Sequence, residues 1–450
     1  MKHSGLAFSQ LLGIDPKIAA SNIVLVASAF IWYFLAFNIL TDLLDLANTT
    51  SFETLVVLGA NVCTIAITAI IGSFLVEKYK KRVNFLYFWM FVGILISLTT
   101  IMFTPSTYSE IIAVSLVFGG YFGIGMPVTM GYFSASTEIK NRARLSGFIF
   151  LVIALSFFIL GSLSVGSTII AGAVLMAVRI VSLLLFYLSK KNDGVVQNSS
   201  QVSYLRIMTN RHFLLFLIPW LVFNLINYLT MPFTTRLTEG AAFYENVSLY
   251  ENILIAVVAV TIGFIADFRG RKRLTIVGFA SLGVGYAALG LFQGNFAWYI
   301  YFIADGIAWG IFNVLFLFTL WGDLAQGYNS EKMYVIGALP FLFSNFVRLL
   351  LSPFMVGFEP TTLFSFASFL LFLAVLPLVY APETLPEKTI KEMEIKSYLD
   401  KAQKIALKQS EKYKKQEKPK PQKHNSESIE EKTENNKDYE EAKKLAEKYY

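Results

Sequence analysis

Residues 263–273 read Gly-Phe-Ile-Ala-Asp-Phe-Arg-Gly-Arg-Lys-Arg, and residues 73–82 read Ser-Phe-Leu-Val-Glu-Lys-Tyr-Lys-Lys-Arg. Glu77 and Asp267 hold the same place in the two stretches, and each stretch joins two long apolar segments. An acidic-then-basic loop that occurs twice in an apolar chain points to two similar halves, a plan that lets one half rock against the other across a membrane.

The composition agrees. The chain has 450 residues, 55% hydrophobic and 15% charged, with a mean hydropathy of +0.56. A helix needs about 20 apolar residues to cross about 30 Å of hydrocarbon. By that measure about twelve spans follow one another, near 22–44, 52–76, 83–104, 109–134, 145–165, 167–188, 212–231, 249–266, 274–292, 297–321, 334–357 and 361–381. The expected fold is an all-α polytopic membrane protein. It divides into an N-terminal segment 1–21, a first six-helix half 22–189, a polar linker 190–211, a second six-helix half 212–381 and a charged tail 382–450.

Lysine and arginine set the orientation. With the N-terminus inside, about 18 of those before residue 382 fall in inside segments and one, Arg236, falls outside. Both termini are therefore expected in the cytoplasm, with the chain in the cell membrane. The pI near 9.1 comes from the inside loops and tail, and attraction to a lipid surface accounts for it better than nucleic acid does. The tail is too polar to fold alone. A helix is expected over 387–415, disorder over 417–437 and a short helix over 438–450. At the other end, Leu6, Phe8, Leu11 and Leu12 fit either a short amphipathic helix or a frayed terminus. Asn246-Val-Ser248 is a glycosylation sequon in a predicted outer loop. Cys63 is the single cysteine, and the three histidines are far apart, so no metal is expected. No nucleotide-binding loop, HExxH or triad spacing points to an enzyme or to ATP hydrolysis, and no cofactor is expected.

The Asp267 loop resembles a signature of the major facilitator superfamily, Gly-x-Leu-x-Asp-Arg-x-Gly-Arg-Arg/Lys. Gly263, Ile265, Asp267, Gly270, Arg271 and Lys272 match it, and Phe268 departs from it. In the first copy Leu75, Glu77, Lys78, Lys81 and Arg82 fit, while Ser73 and Lys80 replace glycines. The resemblance covers residues from about 22 to 385 and implies the twelve-helix major facilitator fold. It also implies a secondary active transporter working by alternating access. A monomer in the bilayer is expected, with a small-molecule solute as its partner. Physically, a carboxylate in such a loop can bind a helix N-terminus of the other half, where free N–H groups and the dipole favour negative charge. Basic neighbours can hold carboxylates across the interface, so the cluster would latch one state shut. A second pair of loops, Glu138 to Arg144 and Asp323 to Lys332, adds Glu138, Arg142 and Asp323 to the expected latch.

Pro382-Glu383-Thr384 looks like the start of the sugar-porter ending. The fifth span lacks the Gly-Pro of the family's drug antiporters. The proton stays a candidate coupling ion, although Gly119 stands where many proton-coupled members carry an arginine ahead of a Gly-x-Gly, here Gly123-Ile-Gly125.

Charges within spans need partners. Asp305 is estimated at roughly 12 Å from the outer surface and Arg348 at roughly 10 Å, which predicts a pair. Asp305, Trp309 and Asn313 share a helical face in span ten. The family resemblance implies that spans one, four, seven and ten line the central cavity, so with Asn224, Asn227 and Tyr228 in span seven, Tyr33 and Asn38 in span one, and Arg348, these residues form the candidate solute site. Amides beside aromatics suit a sugar or polyol. An organic acid held by Arg348 is the second reading, and a non-transporting sensor or scaffold that presents the tail is the third. No partner for Arg179 in span six can be read from the sequence.

Overall fold

The structure, a computed structural model, describes residues 13–406 apart from 80–81, 104, 106, 165–166, 190–200, 238–240, 293, 326–327, 329, 352–353, 355–357, 387–390, 392–394, 396–397 and 400. The first half is built from α1 (Pro16–Leu46), α2 (Ser51–Tyr79), α3 (Arg82–Met102), α4 (Tyr108–Ser136), α5 (Ile139–Ser164) and α6 (Thr168–Ser189). A short linker helix α7 (Tyr204–Met208) leads to α8 (Arg211–Leu237), α9 (Ala241–Arg269), α10 (Arg271–Leu291) and α11 (Asn295–Phe312). A π-helical turn, Asn313–Thr319, carries α11 into α12 (Leu320–Leu324), and α13 (Glu331–Leu351) and α14 (Pro360–Tyr380) complete the bundle. Each predicted span overlaps a helix. Among the described residues eleven helices are long and apolar enough to cross a membrane, with Asn295–Leu324 counted as one. The twelfth expected span corresponds to α13, which has 21 residues.

Two helices start earlier than their apolar runs. In α1, Pro16 takes the first position, where its missing N–H costs nothing, and Asp15 accepts the N–H of Lys17 at 2.9 Å. In α9, the expected outer loop is helical from Ala241, which places Asn246 inside a helix. Residues 241–248 contain no glycine or proline to stop it.

The packing repeats as the duplicated loop requires. In the first half α2 packs on α4, α3 on α6, and α1 on α5 and α6. In the second half the equivalent helices pair in the same way: α9 on α11, α10 on α14, and α8 on α13 and α14. The halves meet along α5 and α9 and along α2 and α13, which are equivalent pairs under the same repeat. Close approach within the first half depends on the Gly-x-Gly of α4. A Cβ on Gly123 would lie 2.5 Å from the Ile65 carbonyl oxygen of α2, and one on Gly125 would lie 1.9 Å from the Trp89 ring of α3.

Residues Pro386–Tyr450 form a second unit. Of these, 391, 395, 398–399 and 401–406 are helical. The stretches 417–437 and 438–450 and the N-terminal residues 1–12 lie outside the described residues.

Candidate functional site

At the bundle end that carries the basic loops, buried charges are shared between the halves. Asp267, in the last turn of α9, accepts the backbone N–H groups of Ala143 at 3.2 Å and Arg144 at 3.0 Å, and the Arg144 Nε at 2.9 Å. Ala143 and Arg144 lie near the start of α5, so the carboxylate sits where the α5 dipole favours an anion. Gly263 lets α9 come this close, since a Cβ there would stand 2.7 Å from the Ala143 oxygen. Arg271 continues the chain of charges. Its Nη2 reaches Asp267 at 2.9 Å and the Ile139 carbonyl, and its Nε reaches Asp323 at 3.0 Å. Asp323 in turn binds Arg142 of the first half at 2.5 Å. Arg142 spends its remaining donors on the Thr137 hydroxyl and the Ser134 and Thr137 carbonyls. Asp267, Arg271, Asp323 and Arg142 are all buried.

A second set of charges joins α3 to α13. Arg82 is paired with Glu331, a buried carboxylate that packs on Gly131 of α4. Next to it, Lys332 donates to the Val202 carbonyl at 2.9 Å, and Tyr204 of the linker helix bonds Ser73 at 2.8 Å. The Ser73 that breaks the glycine pattern is thus a docking point for the linker.

The charge cluster differs from the expected latch at Glu138. That residue is exposed and pairs with Lys140 at 2.7 Å on the surface. It precedes the first turn of α5, while Arg142 one turn later faces inward. The side chains of Glu77 and Lys78 lie outside the described residues.

Glu383 and Thr384 of the Pro-Glu-Thr segment also belong to this cluster. Gly270 has φ +92°, a left-handed conformation suited to glycine, and it leaves the α10 N-terminus open. Glu383 fills that opening by accepting the N–H groups of Arg271 at 2.8 Å and Lys272 at 3.2 Å, and Thr384 donates to Asp323 at 3.3 Å. Glu383→Ala should therefore cost about 1 kcal/mol, as for a lost helix cap, read as a lower thermal midpoint. An unchanged midpoint would contradict the capping role.

Asp267→Asn keeps the shape and removes the charge. The bonds to Arg144 and Arg271 lose their charge assistance, and the loss of such bonds is worth about 1–3 kcal/mol. Cysteine probes inside the basic end should react faster. Unchanged reactivity in a folded protein would rule out a latch role.

The candidate solute residues are spread over a wider area. A cavity between the halves is lined by Phe30 and Tyr33 of α1, Phe122 of α4, Phe316 of the π turn, and Tyr334 and Phe341 of α13, among other apolar side chains. Tyr33 stacks on Phe122 at 4.3 Å and is the one predicted solute residue in that lining. Asn224 is buried and donates to the Trp220 carbonyl of its own helix at 2.7 Å. Asn38 and Asn227 are half-buried, Tyr228 packs edge-on against Phe341, and Trp309 packs edge-on against Phe223. Asn313 opens the π turn. Asp305 and Arg348 are not paired. Arg348 is directed at the Met231 sulfur, 3.0 Å away, while its Nε is buried without a partner. The rotation of α13 about its axis, which depth along the helix does not fix, turns the guanidinium toward α8.

Arg179 has an aromatic setting in place of a carboxylate. Its guanidinium carbon lies 4.4 Å from the Trp89 ring centre, 5.3 Å from Tyr121 and 5.5 Å from Trp32. Desolvated cation–π contacts of this kind offset part of the cost of burial.

A sequence model described as Major Facilitator Superfamily matches residues 22–319. Among solved structures, one described as the MFS proton:xylose symporter XylE bound to 6-bromo-6-deoxy-D-glucose superposes with a TM-score of 0.60 at 13% identity. The match covers 82% of this chain and 96% of that one. At that identity the likeness concerns the fold. No curated protein matches the sequence.

Proposed function

The chain belongs to the major facilitator superfamily and is a multi-pass membrane protein, and from that premise we propose that it is a secondary active transporter of a small polar organic solute. The observation that carries this reading is the buried Arg142–Asp323–Arg271–Asp267 chain, which joins two repeated halves at one end of the bundle. Its opening and closing would expose the space between the halves to alternate sides. Sugars and related metabolites are the first substrate class. The Pro-Glu-Thr ending and the likeness in fold to a proton:xylose symporter support it, and Tyr33, with its ring on the cavity wall, suits the apolar face of a sugar. Asn38, Asn227, Trp309 and Asn313 are the proposed polar contacts on this reading.

One observation favours a second class. The unpartnered Nε of Arg348 suits a carboxylate, so an organic acid is the alternative solute. Thermal shift of the purified chain against sugars, polyols and small carboxylic acids separates the two, since a bound ligand raises apparent stability. Stabilisation by sugars supports the first reading. Stabilisation by acids that is lost in Arg348→Gln supports the second. A chain that neither binds nor takes up any of them in proteoliposomes, and loses its cellular role when 387–450 are removed, would be a scaffold rather than a transporter.

We place the chain in the cell membrane with both termini and the latch on the cytoplasmic side, following the basic loops. In a Cys63→Ala background, cysteines at 269, which is exposed, and 400 should resist an impermeant reagent in right-side-out vesicles. Labelling at either would reverse the orientation.

A further inference from the structure

The second half contains a pair of acidic side chains that the latch does not use. Asp305, on α11, is 6% exposed, and its Oδ1 is buried with no hydrogen-bond partner. The carboxyl group of Glu251 on α9 lies beside it. Two ionised carboxylates buried side by side repel each other, and a proton held between them removes that repulsion.

The position is fixed by close helix packing. A Cβ on Gly306 would stand 2.7 Å from Leu254 Cδ2, and one on Gly310 would stand 2.6 Å from Val258 Cγ1. With α9 and α11 in contact at these two levels, Glu251 is held beside Asp305. Asp305 lies about ten residues along α11, roughly 15 Å at 1.5 Å per residue, which is about half of a 30 Å core. Among the described residues the titratable groups that face the pair are phenols. Tyr301 belongs to α11 itself and Tyr286 to α10, with their hydroxyls 3.5 Å apart. Tyr286 continues to Thr230 of α8 at 2.6 Å. Among the described residues no lysine or arginine forms an ion pair with either carboxyl group, and Arg348, the expected partner, is turned to Met231.

We propose that Glu251 and Asp305 form a proton-binding site in the second half, holding one proton between them in the middle of the bundle. Loss of that proton leaves two negative charges facing each other without a counter-ion, and their repulsion pushes α9 away from α11. Proton release is thereby tied to a shift of α9, the helix whose far end carries Asp267 of the latch. The site itself follows from the carboxyl geometry. Its role in coupling rests on the transporter reading.

Infrared spectroscopy of the full-length protein in lipid tests this without knowledge of the cargo. The wild type should show, at neutral pH, the C=O stretch of a protonated carboxyl group that shifts in heavy water. The double variant Glu251→Gln, Asp305→Asn should lose that band, and Glu251→Gln alone should lower the pH at which the remaining acid loses its proton. Absence of the band in the wild type, or an unchanged band in the double variant, overturns the proposal. Disappearance of the band on adding sodium chloride at constant pH would assign the pair to a metal cation and overturn it equally. If the double variant fails to fold, the single variant decides, since a band and midpoint like those of the wild type contradict a shared proton. A chain that holds the proton but moves no solute contradicts the transport reading and leaves the site in place.

Discussion

Asp323→Ala should open the basic end of the bundle. The Asp323 carboxylate is buried between Arg142 of the first half, at 2.5 Å, and Arg271 of the second, at 3.0 Å. Both arginines are buried too, so the variant leaves two cations facing each other with no anion between them. Breaking a buried pair by removing one partner costs about 3–5 kcal/mol. That cost falls on the closed arrangement, because once the halves part the arginines can be hydrated. A penalty of this size changes the ratio of closed to open molecules by more than about a hundredfold. The measurement is the rate of thiol labelling at a cysteine placed in the cavity, for example Ala338→Cys. A strong rate increase in a protein that still elutes as a single species is expected. A rate equal to that of the parent would show that Asp323 does not hold the state.

The largest loss of folding stability is expected from Trp89→Ala. Trp89 is fully buried, donates its Nε1–H to the Tyr121 carbonyl at 2.8 Å, and stacks on the Tyr121 ring at 5.0 Å. It also gives Arg179 its nearest ring. Truncating such a side chain costs about 3–5 kcal/mol through the cavity left behind, and losing a desolvated cation–π contact adds about 2 kcal/mol. Trp89→Phe keeps a ring over Arg179 and loses chiefly the N–H bond, so it should cost about 1 kcal/mol plus the smaller packing change. Adding Arg179→Met to Trp89→Ala should recover part of the loss, because no charge is then left without its aromatic neighbour. If thermal unfolding in detergent shows the two losses simply adding, Arg179 and Trp89 do not depend on each other.

Charge was the part of the site most legible in the sequence. Charges are scarce in so apolar a chain, and the repeated loops with their resemblance to the family signature single out Arg142, Asp267, Arg271 and Asp323. The helices were legible for the same reason, since long uncharged runs have few folds open to them. Contacts that depend on helix rotation were not legible. The depths estimated for Asp305 and Arg348 match, yet α13 turns its arginine toward Met231, and Glu251 lies beside Asp305. Glu251 is an acid near the start of an apolar run, and that was the available signal for it. Asn224 was grouped with the solute site by its depth, but its amide is bonded one turn back to Trp220 of its own helix, which sequence position alone does not reveal. Arg179 had no acidic partner to find, because its neighbours are three aromatic rings from three helices.

The central claim is that the two halves part and close at the charged interface. The most direct test is the distance between spin labels on the two halves, at Lys140→Cys and Arg269→Cys in a Cys63→Ala background. Both positions are exposed, beside the α5 and α9 ends that the latch joins. The protein in lipid should give a short distance population that shrinks in favour of a longer one when Asp323→Ala is added. A single distance distribution, identical with and without Asp323 in folded protein, would contradict the account.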